Sequence, residues 1–272
     1  MSDRLRKNLK LLIGFFAVSC AVTLFLAIYL ILFSIDPETH FYYDDAKLVT
    51  VTNVVLLVVT VIMMLPFFAR RVKTTLVFGY AKRPALGVFS AITAAALIVT
   101  GFDNIVLTIS AEAGAGEFFI GGAQLLAAIF FILATVSQFT GRKTDLRIVA
   151  LLPVLWSIIN LAVTFMSLTQ IANISQYLYE VLQLVFAALF LYYNARVISG
   201  LTNGHEICGA FAFGLPCAMY GFLAAIPSVI AYIADSSHGN LPRIGDSVYI
   251  ALSLYAIALL VTLVKEKNKV AE

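Results

Sequence analysis

Eight long apolar stretches, separated by short polar connections, constrain this chain more than any other feature of its sequence. They run over residues 9–33, 48–69, 85–110, 118–139, 148–168, 176–198, 207–234 and 248–264. Each is close to the ~20 residues that an α-helix needs to cross a bilayer's hydrocarbon core. The runs are continuous and do not alternate every second residue, so helices are predicted and barrel strands are not. Composition agrees: 61% of the 272 residues are hydrophobic and only 12% are charged, against roughly 25% charged in a soluble domain. That balance excludes a soluble fold, a disordered chain and a disulfide scaffold. The chain reads as one all-α integral membrane domain, 1–272, with eight transmembrane helices and the lipid bilayer as its first partner.

The few charges give an orientation. With the N-terminus inside, 16 of the 18 basic residues fall in inner segments, and only Lys47 and Arg243 fall outside. Retention of Lys and Arg on the cytoplasmic side then places both termini in the cytoplasm. The acids agree, since Asp36, Glu38, Asp44, Asp45, Glu112, Glu117, Asp235 and Asp246 all lie outside. The first apolar run is too long for the apolar region of a secretory signal peptide, so it reads as a span. Cys20, Cys208 and Cys217 all lie within spans, where no extracellular disulfide is expected. Tyr177 and Tyr249 fall among the aromatic residues expected at the outer interface. Short loops without added domains fit a bacterial plasma membrane protein.

An internal duplication is suggested by two offsets. Residues 65–70 resemble residues 191–196, 126 positions later. Gly87, Ala91 and Ala95 in the third span repeat as Ala210, Gly214 and Ala218 in the seventh, offset by 123. Small residues every four positions make a smooth stripe along which another backbone can approach closely. The third and seventh spans are therefore expected to pack centrally, in two parallel four-helix repeats, 1–139 and 140–272.

Two acids lie inside predicted spans, Asp103 in the third and Glu180 in the sixth, and no Lys, Arg or His lies deep in any span. An ionisable group in hydrocarbon is costly, so it faces protein or water and marks a candidate site. Both acids lie toward the outer side, and so do the amides Asn53, Asn104, Gln124, Asn160 and Gln183. Glu180 and Gln183, three residues apart, share a helix face. Pro227, which lacks an N–H, suggests a kink or cavity wall in the outer half of the seventh span. The inner half reads as aliphatic, Ala, Thr and Phe. The expectation is an outward-facing polar site over an apolar plug. If Asp103 and Glu180 meet there, they would share a proton or a cation. The bland reading of each amide is a hydrogen bond between helices, worth ~1 kcal/mol.

Catalytic and nucleotide-binding motifs are absent, and His40, His205 and His238 are scattered through loops without metal-ligand spacing. No enzyme, cofactor, metal or nucleic-acid partner is therefore expected. The basic connection 70–84 could touch anionic headgroups, and residues 173–175 fit a glycosylation sequon. The sequence favours a transporter of a small solute or cation. The alternative is a non-catalytic sensor or partner subunit that works through another membrane protein or a second copy. An intramembrane enzyme acting on lipid ranks last, since no nucleophile, base or metal set can be assembled for it.

Overall fold

The computed structural model of the chain describes residues 3–34, 47–65, 82–110, 114–141, 146–168, 175–200, 206–234 and 244–265. It contains eight α-helices among them: α1 Asp3–Phe33, α2 Lys47–Met64, α3 Pro84–Ile109, α4 Ala115–Thr140, α5 Leu152–Leu168, α6 Ser175–Ser199, α7 Glu206–Ala234 and α8 Asp246–Lys265. All eight are long and apolar enough to cross a membrane. The three histidines, the sequon asparagine at 173, most of the basic 70–84 connection and most of the charged loop residues lie outside the described residues. The inner side is the one expected to hold both termini and most of the basic residues, and the outer side is opposite it.

Helix boundaries follow local chemistry. Pro84 opens α3, where its missing N–H removes no helical bond. Gly141 closes α4 at φ 68, with its N–H on the Ser137 carbonyl. That left-handed conformation costs glycine, which has no Cβ, nothing in steric strain. The helices are inverted relative to those of a soluble protein. On α2, Val51, Val54, Leu57, Val58 and Val61 are exposed while Thr52 and Thr60 are buried. Thr60 is satisfied locally, its Oγ1 donating to the Leu56 carbonyl at 2.7 Å, whereas Thr52 Oγ1 has no hydrogen-bond partner.

Six consecutive helices close a ring. α3 packs on α4, α4 on α5, α5 on α6, α6 on α7, α7 on α8, and α8 returns to α3. α1 and α2 pack against α7 from outside this ring, so α7 is buried along almost its whole length. The α7 stripe Ala210, Gly214 and Ala218 is fully buried, as central packing requires. The α3 stripe is not: Gly87 meets the Phe139 ring, but Ala91 is only partly buried and Ala95 is exposed. The close approach on α3 occurs instead at Gly101, whose partner is Gly121 of α4. The two halves also pack differently. α6 lies along α7, whereas α2 and α3, their counterparts under a four-helix repeat, form no such pair among the described residues.

The α3–α4 crossing makes a direct prediction. A Cβ on Gly121 would stand 2.7 Å from the Gly101 carbonyl oxygen, while one on Gly122 would meet nothing within 4 Å. Gly121→Val should therefore lower stability by about 1–3 kcal/mol, the usual cost of overpacking. Gly122→Val should leave thermal unfolding in detergent unchanged, and equal effects would refute the crossing.

Candidate functional site

Glu180 stands in the second turn of α6 and is half-buried. Its Oε1 accepts a hydrogen bond of 2.8 Å from the Tyr249 hydroxyl of α8. Tyr249 is buried, so it does not serve as the interfacial ring the sequence suggested. One turn deeper on α6, Gln183 is fully buried, and neither its Nε2 nor its Oε1 has a hydrogen-bond partner. The Cys217 thiol of α7 lies close enough to interact weakly with this amide, but makes no hydrogen bond of good geometry with it. Around Gly221 of α7, three polar groups converge: a Cβ there would meet Ser253 Oγ of α8, the Tyr249 carbonyl at 2.9 Å and Gln183 Nε2 at 3.1 Å. Ser253 Oγ in turn donates to the Tyr249 carbonyl at 2.7 Å. Glycine at 221 is thus what lets α8 bring its polar groups against α7 and α6.

The remaining amides divide. Asn104 of α3 donates to Gln124 of α4 at 2.9 Å, beside the Gly101–Gly121 crossing. Asn53 of α2 accepts from Tyr179 of α6 at 2.9 Å. Tyr220 of α7 lies against Tyr179 and is linked by its hydroxyl to Thr60 of α2 at 3.0 Å. These two contacts tie α2 to the ring. Asn160 of α5 is buried and accepts from Thr164 one turn later at 3.3 Å. Asn104, Gln124 and Asn53 thus have the bonding role of helix glue and Asn160 bonds within its own helix, whereas Gln183 does neither.

Asp103 and Glu180 are not brought together. Thr93 Oγ1 of α3 donates to the Ala251 carbonyl of α8 at 3.2 Å, which sets the register of those helices. Asp103 follows ten residues later, ~15 Å further out at 1.5 Å per residue. α8 starts at Asp246, so it extends only ~7.5 Å outward of Ala251. Asp103 therefore stands at the outer rim, beyond the level of Tyr249. Asn104 turns toward α4, and Asp103 lies 100° around the helix from it. Its neighbours one turn away, Val99 and Val106, are 56% and 60% exposed. The half-buried carboxyl thus sits beside an exposed apolar stripe, where it can reach the interface.

The inner half holds more polar chemistry than the sequence suggested. Asn194 of α6, within a span but near its inner end, donates to the Tyr255 hydroxyl of α8 at 3.2 Å. Asn194 Oδ1 is buried without a partner. Arg196 and the buried Glu206 form a 2.9 Å ion pair that joins the end of α6 to the start of α7. Arg83, at the inner end of α3, is buried, and burial pulls its guanidinium down from the ordinary arginine range to about 10. It remains charged at neutral pH. Because the fold disfavours the charged form, the cost is present below about pH 10 and is relieved as pH rises above it.

The signals for Tyr249, Ser253, Gly221 and Asn194 were present but faint. A tyrosine at the start of a span matches an interfacial belt as well as a site, and serine and glycine are common in spans. Asn194 broke the pattern of outer-half amides and sat beside a charged helix end. Among the described residues, no group of three or more His, Cys, Asp or Glu could hold a metal. No protein-family model, curated protein or solved structure matches the chain.

Stability distinguishes Gln183 from the bonded amides. An unsatisfied buried amide costs ~1–3 kcal/mol. Gln183→Leu should therefore hold or raise the thermal midpoint in detergent, whereas Asn104→Leu, which strands Gln124, should lower it. A large loss of stability in Gln183→Leu would mean that the amide is bonded in the resting protein.

Proposed function

We propose that this chain is a plasma-membrane carrier for a small polar solute, with both termini cytoplasmic. The solute binds in the outer half of the six-helix ring, between Glu180 and Gln183 of α6 and the facing residues Gly221, Tyr249 and Ser253. The observation that carries this reading is the Gln183 amide, fully buried with both its donor and its acceptor unpartnered. A chain under no demand but stability does better with leucine there, because the same shape without the polar atoms removes the desolvation cost. A group that pairs with an arriving solute accounts for the exception.

The site's charge narrows the solute. Glu180 contributes a carboxyl group, and Tyr249, Ser253, Gln183, Gly221 and Cys217 contribute no basic side chain. An anion would meet the carboxyl without a compensating cation, in surroundings where charge is poorly screened. The solute is therefore neutral or carries a single positive charge. With Asp103 at the rim, a proton or cation shared by two carboxyls has no place in the mechanism. Any coupling to ions runs through Glu180 alone.

A thermal-shift screen of the purified protein tests this. Small neutral amides, amines, amino acids and monocarboxylates make a sufficient panel. Neutral or cationic members should raise the midpoint of the wild type, and uptake into proteoliposomes should follow for the same compounds. Losing the Gln183 hydrogen bonds, worth ~1–3 kcal/mol, should weaken binding by about tenfold or more in Gln183→Leu. A shift that is equal in Gln183→Leu, or seen only with anions, would overturn the reading. The sensor or partner-subunit reading would then take its place.

A further inference from the structure

We propose that the solute's route runs along the Gln183–Ala187–Phe190–Asn194 face of α6, through an aromatic gate of Phe131, Phe190 and Tyr255, to a second binding station at Asn194 and Tyr255. This inference rests on the carrier reading above. The four α6 positions are spaced four, three and four apart, so they fall on one narrow face of the helix. None is more than 1% exposed. The face is polar, then apolar, then polar, and its two amides are eleven residues apart, ~16 Å along the helix.

Both ends of this face hold polar atoms without partners: Nε2 and Oε1 of Gln183, and Oδ1 of Asn194. One such atom in a core calls for an explanation. Two amides so placed on a single face, on either side of an aromatic cluster, each leave an amide acceptor unmet, at two depths. Each offers a carboxamide, with a donor and an acceptor side by side. The complementary solute is small and neutral with its own adjacent donor and acceptor, as in a carboxamide or a urea.

Between the two stations, rings from three alternate helices of the ring meet. Phe131 of α4 packs edge-on against Tyr255 of α8 at 5.1 Å, and Phe190 of α6 reaches Tyr255 at 6.4 Å. Side chains from alternate members of a closed ring meet in its interior. Gln124 stands seven residues before Phe131 on α4, as Gln183 stands before Phe190 on α6, so each gate ring has an amide two turns outward on its own face. Gly214 of α7 leaves the room that Phe190 occupies, since a Cβ there would stand 2.8 Å from the ring.

Tyr255 connects the gate to the inner station. Its hydroxyl accepts the 3.2 Å hydrogen bond from Asn194 Nδ2. A solute that takes this donor competes with Tyr255 for it, so arrival at the inner station loosens the ring that closes the path.

The test uses proteoliposomes of the full chain with urea and acetamide as probes and stopped-flow swelling as the readout. Phe190→Ala should speed swelling at least tenfold over wild type, and adding Asn194→Leu should reverse most of that gain. If Phe190→Ala is no faster while Gln183→Leu still blunts uptake of the same probes, the route lies elsewhere and the outer site stands. If Gln183→Leu has no effect either, the carrier reading fails with it. Should Phe190→Ala not fold, thiol labelling decides in a background with Cys20, Cys208 and Cys217 changed to alanine. Asn194→Cys should react with a membrane-impermeant methanethiosulfonate and be slowed by acetamide, while the outward-facing control Leu189→Cys should not react. Asn194→Cys as inert as the control would overturn the proposal.

Discussion

A polar group taken into an apolar interior is costly unless it finds a partner, and this requirement organises most of the structure, although Thr52, Gln138 and Trp156 each leave a buried polar atom without one. It makes the backbone helical, because only a helix satisfies its own N–H and C=O groups within one segment in hydrocarbon. It sends the hydroxyls of Thr23, Thr60, Thr100 and Ser253 back to carbonyls of their own helices. It pairs Asn104 with Gln124 across α3 and α4, and Asn53 with Tyr179 across α2 and α6. Against that background, unpartnered amide atoms are a signal, and one face of α6 carries them at two depths, both polar atoms of Gln183 and Oδ1 of Asn194.

The same rule explains the placement of the acids. Glu180 keeps a carboxyl within the ring by accepting the Tyr249 hydroxyl. Glu206 is more deeply buried and is held by Arg196. Asp103 needs neither arrangement, because it stands at the rim beside an exposed stripe. Two carboxyls that look alike in the sequence, each toward the outer end of a span, thus belong to different environments. The ring closure decides which is which: α6 and α8 face each other across α7, while the outer third of α3 rises beyond the start of α8.

Much of the fold was legible in the sequence. Eight apolar runs mark the eight helices, although α1 starts six residues before its run, because hydropathy and length are one-dimensional properties. The buried stripe Ala210–Gly214–Ala218 was legible for the same reason, since small residues four apart need no partner to be seen. Its twin on α3 was not reliable, because a stripe says that close approach is allowed and not that a helix is there. Gly101 and Gly121, which do meet, form no such series. Site residues were legible in part. Glu180 and Gln183 stood out by polarity, but Tyr249, Ser253 and Gly221 belong to other helices and become partners only through ring closure. Phe131, Phe190 and Tyr255 were invisible for the same reason.

The central claim, that the Gln183 amide belongs to a solvated route and not to a dry core, can be measured directly. The chain holds five glutamines, so selective side-chain ¹⁵N labelling gives a short spectrum in which Gln183→Leu assigns the signal. Deuterium exchange of that side-chain amide in the folded protein is the decisive quantity. The account predicts that Gln183, although fully buried, exchanges much faster than Gln124, which is also buried and whose Oε1 is held by Asn104 in the α3–α4 contact. Protection of Gln183 equal to or greater than that of Gln124 would contradict it.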